Sequence, residues 1–154
     1  MLIQILVGVL ISMVCIMIHA MATIAATSVA RGVGFRPSEW PRRHLMAVMV
    51  ATVVVLKAAH GLEVVVWALA YALLGAAPAG SDLLYFAFVN YTTLGYGDVT
   101  PVKAWQLLGP MAAMNGILMF GWSTAVLFEV LMKTLAHLAA IAPAGSPFSA
   151  ADRG

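Results

Sequence analysis

Residues 2–30 contain no aspartate, glutamate, lysine or arginine. As a helix, this stretch is long enough to cross a bilayer core about 30 Å thick. It also exceeds the apolar core of a signal peptide, roughly 7–15 residues, and no basic residue precedes it, so we expect a retained helix. The whole chain is 63% hydrophobic and 9% charged, whereas about a quarter of the residues of a soluble domain are charged. These features predict an integral membrane protein in contact with lipid.

The chain divides into segments of contrasting polarity. We predict an all-α membrane protein with three transmembrane helices and one short re-entrant helix. The predicted segments are an N-terminal helix at 1–30, a basic loop at 31–44, a second helix at 45–77, a re-entrant helix at 81–92 with Ser81 as its N-cap, a third helix at 105–137, and a disordered tail at 138–154. The loop carries four arginines, which predicts that it is cytoplasmic. The N-terminus then lies outside and the C-terminus in the cytoplasm, most simply across a cell (inner) membrane.

The segment between the re-entrant helix and the third helix has an unusual composition. It reads Thr92-Thr93-Leu94-Gly95-Tyr96-Gly97-Asp98. Glycine permits backbone angles that are closed to other residues, so this stretch suits a tight, extended ribbon. At membrane depth, non-helical backbone is tolerated only where it is buried in protein or lines a water-filled path. The segment is therefore predicted to be functional.

With these residues in place, the chain resembles the potassium-channel pore family. The resemblance covers residues 45–136 and is densest at 91–101, YTTLGYGDVTP. It implies a pore domain at 45–137 with an outer helix, a pore helix, a selectivity filter at 93–97 and an inner helix, assembled as a homotetramer. It also implies that K⁺ is the permeant ion and replaces its hydration shell with main-chain oxygens. The implied ligands are the carbonyls of Thr93, Leu94, Gly95 and Tyr96, with the Thr93 hydroxyl; the implied filter supports are Thr92, Gly97, Asp98 and Asn90.

The chain departs from the family pattern around the filter. Leu94 replaces the commoner valine, and Phe86 cannot donate a hydrogen bond to Tyr96 as a tryptophan would. Val89 removes a carboxylate partner for Asp98, so we expect the filter to be braced mainly by packing. Two alternatives to a potassium-selective channel therefore stay open. They are a weakly selective cation channel and a nonconducting accessory membrane subunit.

The third helix continues the resemblance. Gly116 and Gly121 fall where inner helices of the family carry a hinge, although close helix packing explains them equally well. Five residues at steps of three and four align with positions that line the pore cavity: Ile117, Phe120, Thr124, Phe128 and Met132. Of these, Phe128 and Met132 are predicted to form an apolar constriction that gates by dewetting.

Ionisable residues also occur inside the predicted helices. Lys57, His60 and Glu63 share one stripe of the second helix, which indicates either local pairing, with Glu63 facing the third helix, or proton sensing by His60. We expect pairing. Glu129 and Lys133 are spaced to pair on the third helix, although Glu129 could also belong to a buried polar cluster. His19 is expected to be isolated.

Other functions lack support in the sequence. The net charge of +2 does not indicate nucleic-acid binding. A single cysteine, Cys15, gives no zinc-ligand spacing and no internal disulfide. Motifs for phosphate binding or hydrolysis are absent, so neither an enzyme nor a small-molecule substrate is predicted.

Overall fold

The computed structural model describes residues 1–34 and 41–141. Its regular elements are helices α1 (Leu2–Gly34), α2 (Pro41–Leu74), α3 (Leu83–Tyr91) and α4 (Leu108–Ile141), with a short 3₁₀ turn at Lys103–Trp105. The predicted all-α membrane fold is confirmed. Helices α1, α2 and α4 are each long and apolar enough to cross a membrane. Residues 35–40 of the predicted loop and 142–154 of the predicted tail lie outside the described residues.

The ends of α2 have clear local causes. Pro41 is its first residue, where the missing N–H has no helical partner to lose. Gly75 then adopts a φ of +58°, and the N–H of Ala76 bonds to the carbonyl of Tyr71 at 3.0 Å. This is a Schellman C-cap, which favours glycine because a Cβ is disfavoured at positive φ. The helix therefore ends at Leu74, three residues before the predicted boundary.

The short helix α3 is capped by a carboxylate. Asp82 Oδ1 accepts hydrogen bonds from the N–H groups of Leu84 and Tyr85 at 3.0 and 3.1 Å. The expectation that Ser81 is the N-cap is wrong, because Asp82 has the extended backbone of a cap residue and its carboxylate satisfies two of the unpaired N–H groups of the first turn. Nine residues of α3 extend only about 14 Å at 1.5 Å per residue, less than half the membrane core.

The chain forms two compact units. Of the described residues, the first comprises 1–21 and 57–122, and the second comprises 22–34, 41–56 and 123–141. The first unit contains all of α3 and buries a core of side chains from α1 to α4: Cys15, Val64, Trp67, Tyr71, Phe86, Tyr91, Leu108 and Met119. Its aromatic members pack closely, and the ring centroids of Tyr71 and Phe86 lie 4.8 Å apart. This core fixes α3 and the segment that follows it.

Within the second unit, polar side chains on the helices bond back to their own backbone. Thr52 Oγ1 donates to the carbonyl of Val48 at 2.9 Å, and Thr134 Oγ1 donates to that of Val130 at 2.7 Å. Such bonds satisfy a hydroxyl without a partner from another helix.

Candidate functional site

The residues from Thr92 to Asp98 form an irregular, exposed segment at the end of α3. All seven are exposed, and Leu94 and Tyr96 retain 53% and 66% of their surface. The φ angles of Thr93, Gly95 and Gly97 are +60°, +59° and +78°. Thr93 is the only described non-glycine residue with positive φ, so Leu94 and Tyr96 are negative and the sign alternates along the segment. In a regular strand φ is negative throughout and successive residues face opposite sides.

Thr93 begins the alternation in a conformation that is costly for a β-branched residue. Two hydrogen bonds hold it there. The N–H of Thr93 donates to the carbonyl of Asn90 at 3.1 Å, and the N–H of Leu94 donates to that of Val89 at 3.0 Å. The C-terminal turn of α3 thus has the Schellman pattern with threonine where glycine is usual. Backbone strain of this kind concentrates at functional sites.

A side-chain hydrogen bond links the last residue of this segment to the first turn of α3. The Tyr85 hydroxyl donates to Asp98 Oδ2 at 2.7 Å. The bond to the carboxylate raises the pKa of the Tyr85 hydroxyl above its ordinary range. Tyr85 was missed in the sequence, although a tyrosine in the first turn of a short helix was the available signal. The expectation of bracing mainly by packing therefore omitted a polar contact to Asp98.

Phe86 and Asn90, which were considered for the bracing of the segment 92–98, make contacts that position α3. Phe86 is fully buried against Tyr71 and belongs to the core of the first unit. Asn90 donates from Nδ2 to the carbonyl of Phe86, one turn back, at 3.0 Å. Its Oδ1 would lie 3.1 Å from a Cβ added at Gly109. Asn90 therefore lies where α3 passes the start of α4.

The two glycines considered as hinges have different surroundings. A Cβ added at Gly116 would lie 1.9 Å from the carbonyl oxygen of Tyr91 and 2.9 Å from its carbonyl carbon. A Cβ added at Gly121 would have no neighbour within 4 Å. Gly116 therefore permits the close approach of α4 to the C-terminal end of α3.

The residues predicted to line a pore share one property. Each is exposed in the single chain: Ile117 and Phe120 in the first unit, and Thr124, Phe128 and Met132 in the second. Among the large apolar side chains, Ile117 and Phe128 are exposed by 61% and 64%.

A buried polar cluster lies behind α3 in the first unit. Glu63 of α2 accepts a hydrogen bond from the Tyr91 hydroxyl at Oε2, and His19 Nδ1 of α1 lies 2.8 Å from its Oε1. His60 Nδ1 lies 3.4 Å from Glu63 Oε2 and 3.0 Å from the Tyr91 hydroxyl. The expectation that His19 is isolated is wrong, because a contact 44 residues away in sequence has no local signal. Glu63 meets α1 and α3, rather than α4 as predicted.

The remaining predicted charges are at the surface. Lys57 is exposed, so the stripe on α2 does not form one buried cluster. In the second unit, Lys133 Nζ lies 2.5 Å from Glu129 Oε1, as the spacing predicts, with the two side chains 74% and 53% exposed. An exposed pair of this kind contributes little to stability.

Comparison with known proteins identifies a family match. Residues 59–133 match a family model described as ion channel, and this range covers residues 59–74 of α2, all of α3, the segment 92–98 and most of α4. No curated protein and no solved structure matches the chain. The family match supports an ion channel, and together with the three apolar helices it supports an integral membrane protein.

Proposed function

We propose that this chain is the subunit of a potassium-selective channel that conducts K⁺ passively through a homotetrameric pore. In this proposal residues 93–97 are the selectivity filter, and the carbonyls of Thr93, Leu94, Gly95 and Tyr96 coordinate the ion. Helix α2 is the outer helix, α3 the pore helix and α4 the inner helix. The match of residues 59–133 to an ion-channel family supports the coarser part of this function.

The observation that carries the proposal is the alternating backbone of residues 93–97. Because the sign of φ alternates, successive peptide groups do not alternate between two sides as they do in a regular strand, and neighbouring carbonyl oxygens can face the same side of the chain. A row of carbonyl oxygens on one side is what a dehydrated K⁺ requires in place of its water shell. The glycines at 95 and 97 allow this backbone without strain, and the bond between Tyr85 and Asp98 ties its C-terminal end to α3.

The exposure of the ribbon supports a tetramer. One ribbon offers oxygens from a single side and cannot surround an ion, whereas four symmetric copies form closed rings. Leu94 and Tyr96 are large side chains left open in the single chain, as are Ile117 and Phe120 on α4. Neighbouring copies would cover the ribbon side chains, and the remaining apolar helix surface would meet lipid.

The orientation follows from charge. The four arginines of residues 31–43, where α1 ends and α2 begins, favour the cytoplasmic side, so the segment 92–98 would face the outside and the C-terminus the cytoplasm. Ion flow in either direction would then depend only on the electrochemical gradient.

Flux through liposomes tests the proposal. Purified full-length protein is reconstituted in defined lipid, and K⁺ and Na⁺ uptake are measured under equal gradients, with oligomer mass determined in detergent. We expect tetramers and K⁺ flux that greatly exceeds Na⁺ flux. Equal permeability would favour the weakly selective cation channel, and tetramers without flux would favour the nonconducting subunit; either result rejects the proposal.

A further inference from the structure

The cluster behind α3 combines two imidazoles and one carboxylate at the spacing of a metal site. The donor atoms of His19, His60 and Glu63 lie within 4.8 Å of one another. Glu63 and His19 are fully buried, and the His60 side chain is 13% exposed. Each carboxylate oxygen faces a different imidazole, with Oε1 2.8 Å from His19 and Oε2 3.4 Å from His60.

These separations suit a small divalent ion. Zinc lies about 2.0–2.1 Å from imidazole nitrogen and about 2.0–2.2 Å from carboxylate oxygen, so donors at the corners of a tetrahedron are roughly 3.4 Å apart. The separation at His60 equals that value, and the separation at His19 is 2.8 Å, so the donors are close enough to share one ion after a small outward shift. Two histidines and one glutamate are also a donor set that zinc uses when it keeps a fourth position for another ligand.

We propose that His19, His60 and Glu63 bind a divalent transition-metal ion of the Zn²⁺ class. Nδ1 of each imidazole and one carboxylate oxygen are the ligands, and the fourth position faces the Tyr91 hydroxyl or a water. To bind the ion through Nδ1, each imidazole must adopt the tautomer that carries its proton on Nε2. The metal therefore replaces the contacts between the imidazoles and Glu63 instead of adding to them.

The surroundings favour a cation. A carboxylate is costly to bury at membrane depth unless a positive charge or several hydrogen bonds accompany it. A bound divalent ion supplies that charge at the centre of the cluster. The ring of Phe120 packs 4.8 Å from that of His60, and His60 is the ligand that retains exposure, so the ion would enter beside these two rings.

The site is connected to the proposed filter. Tyr91 donates its hydroxyl to Glu63 and is the last residue of α3, two positions before Thr93. A ligand that draws Glu63 toward the imidazoles would weaken this hydrogen bond and loosen the end of α3. Reduced K⁺ flux on metal binding is therefore expected; this consequence rests on the proposed function, whereas binding itself does not.

Cobalt spectroscopy tests the site. Full-length protein in detergent is stripped with a chelator and titrated with Co²⁺, which gives strong visible absorption in a tetrahedral site, and Zn²⁺ is then added in competition. We expect one Co²⁺ per chain, displaced by Zn²⁺. Glu63→Gln and His19→Gln should weaken binding at least tenfold. His137→Gln, which replaces a histidine of the second unit, should bind as the wild type does.

A second variant guards against loss of folding. His60→Cys keeps a metal ligand at the exposed edge of the cluster, so Co²⁺ should give a new thiolate charge-transfer band in the near ultraviolet. Helical circular dichroism is measured for every variant. Wild-type protein that gives only octahedral Co²⁺ spectra, or His60→Cys without the new band in a folded chain, would overturn the proposal. Because binding is measured without flux, its failure is separate from failure of the channel function.

Discussion

The Tyr85 hydroxyl donates a hydrogen bond of 2.7 Å to the carboxylate of Asp98, which lies thirteen residues later in the chain at the end of the segment 92–98. Tyr85 lies in the first turn of α3, and Asp98 follows Gly97 directly. The bond therefore closes a loop that contains most of α3 and the ribbon after it. Holding the two ends of a flexible segment reduces the number of conformations it can adopt.

Removing this bond is expected to loosen the ribbon. Tyr85→Phe deletes the donor and leaves the ring, so we predict a several-fold loss of K⁺ over Na⁺ permeability. Asp98→Asn keeps an acceptor oxygen and should have a smaller effect. Permeability ratios are measured for both variants and the double variant. If the bond is the cause, adding Asp98→Asn to Tyr85→Phe produces little further change; strictly additive effects would argue against it.

The same bond predicts behaviour at alkaline pH. The pKa of Tyr85 is raised because its hydroxyl donates to the Asp98 carboxylate. A group whose pKa is higher in the folded state stabilises that state below its unfolded pKa, near 10, and the contribution is lost as pH rises through the raised value. Tyrosinate formation is followed by ultraviolet absorbance, and the titration of a Tyr85→Phe variant is subtracted to isolate the signal of Tyr85. Tyr85 should ionise at higher pH in the wild type than in Asp98→Asn. Identical titration curves would count against the assigned bond.

How far the sequence predicts this molecule depends on the range of the interaction. Helices α1, α2 and α4 follow from hydropathy, and the position of the ribbon follows from two glycines in a short motif. The cap of α3 was assigned one residue early because Ser81 and Asp82 are both good cap residues, and only the backbone geometry selects between them. Local chemistry thus sets the elements but not their exact ends.

Contacts between distant residues had no signal in the sequence. His19 and Glu63 meet because α1 packs beside α2 in the first unit, and hydropathy does not specify which faces of two apolar helices meet. The partner of Asp98 was sought at Val89, the position that carries a carboxylate in the family. The structure instead provides the hydroxyl of Tyr85, one turn earlier on α3.

Gly97 and Gly80 have similar backbone geometry, so alanine variants of the two distinguish the effect of backbone strain from the effect of changing the filter. Gly97 and Gly80 have φ angles of +78° and +82°, and a Cβ added at either has no neighbour within 4 Å. Alanine at either position should therefore cost a similar amount, roughly 1–2 kcal/mol for a left-handed residue. Only Gly97 belongs to the proposed filter.

We therefore expect Gly97→Ala to abolish selective K⁺ flux and Gly80→Ala to leave it unchanged, with similar losses of thermal stability in detergent. Flux and unfolding temperature are measured on the same preparations. Normal selectivity in Gly97→Ala would contradict the assignment of this residue to the filter. Loss of flux in both variants would attribute the effect to instability.

A second pair of glycines distinguishes packing from hinge motion. Alanine at Gly116 would overlap the carbonyl of Tyr91, so Gly116→Ala should destabilise the protein by about 1–3 kcal/mol, as overpacked sites do. Gly121→Ala meets open space and should stabilise α4 by up to about 1 kcal/mol, through helix propensity. Thermal unfolding in detergent gives both values. Reduced open probability in a stable Gly121→Ala variant would identify a hinge at Gly121. Unchanged gating would rule out that hinge and leave the close packing at Gly116 as the structural role found for these glycines.

Phe128 provides the test of the apolar gate. Its side chain is 64% exposed in the single chain, and in a tetramer four copies would meet if this face of α4 lines the pore. A narrow apolar ring closes a pore by excluding water, so it needs bulk as well as low polarity. Phe128→Ala removes the bulk and should lower closed-state occupancy several-fold in single-channel recordings. Phe128→Leu keeps most of the apolar bulk and should gate nearly as the wild type does.

A matched control lies one residue away on the same helix. Leu127 is displaced by about 100° around α4, so its side chain points away from the face of Phe128. Leu127→Ala also truncates a large apolar side chain to a methyl group in the same turn and should leave closed-state occupancy unchanged. If Phe128→Ala and Leu127→Ala alter gating equally, the effect comes from weakened helix packing. If neither does, the constriction lies elsewhere on α4, because a ring that controls water entry must respond to the loss of its largest side chain.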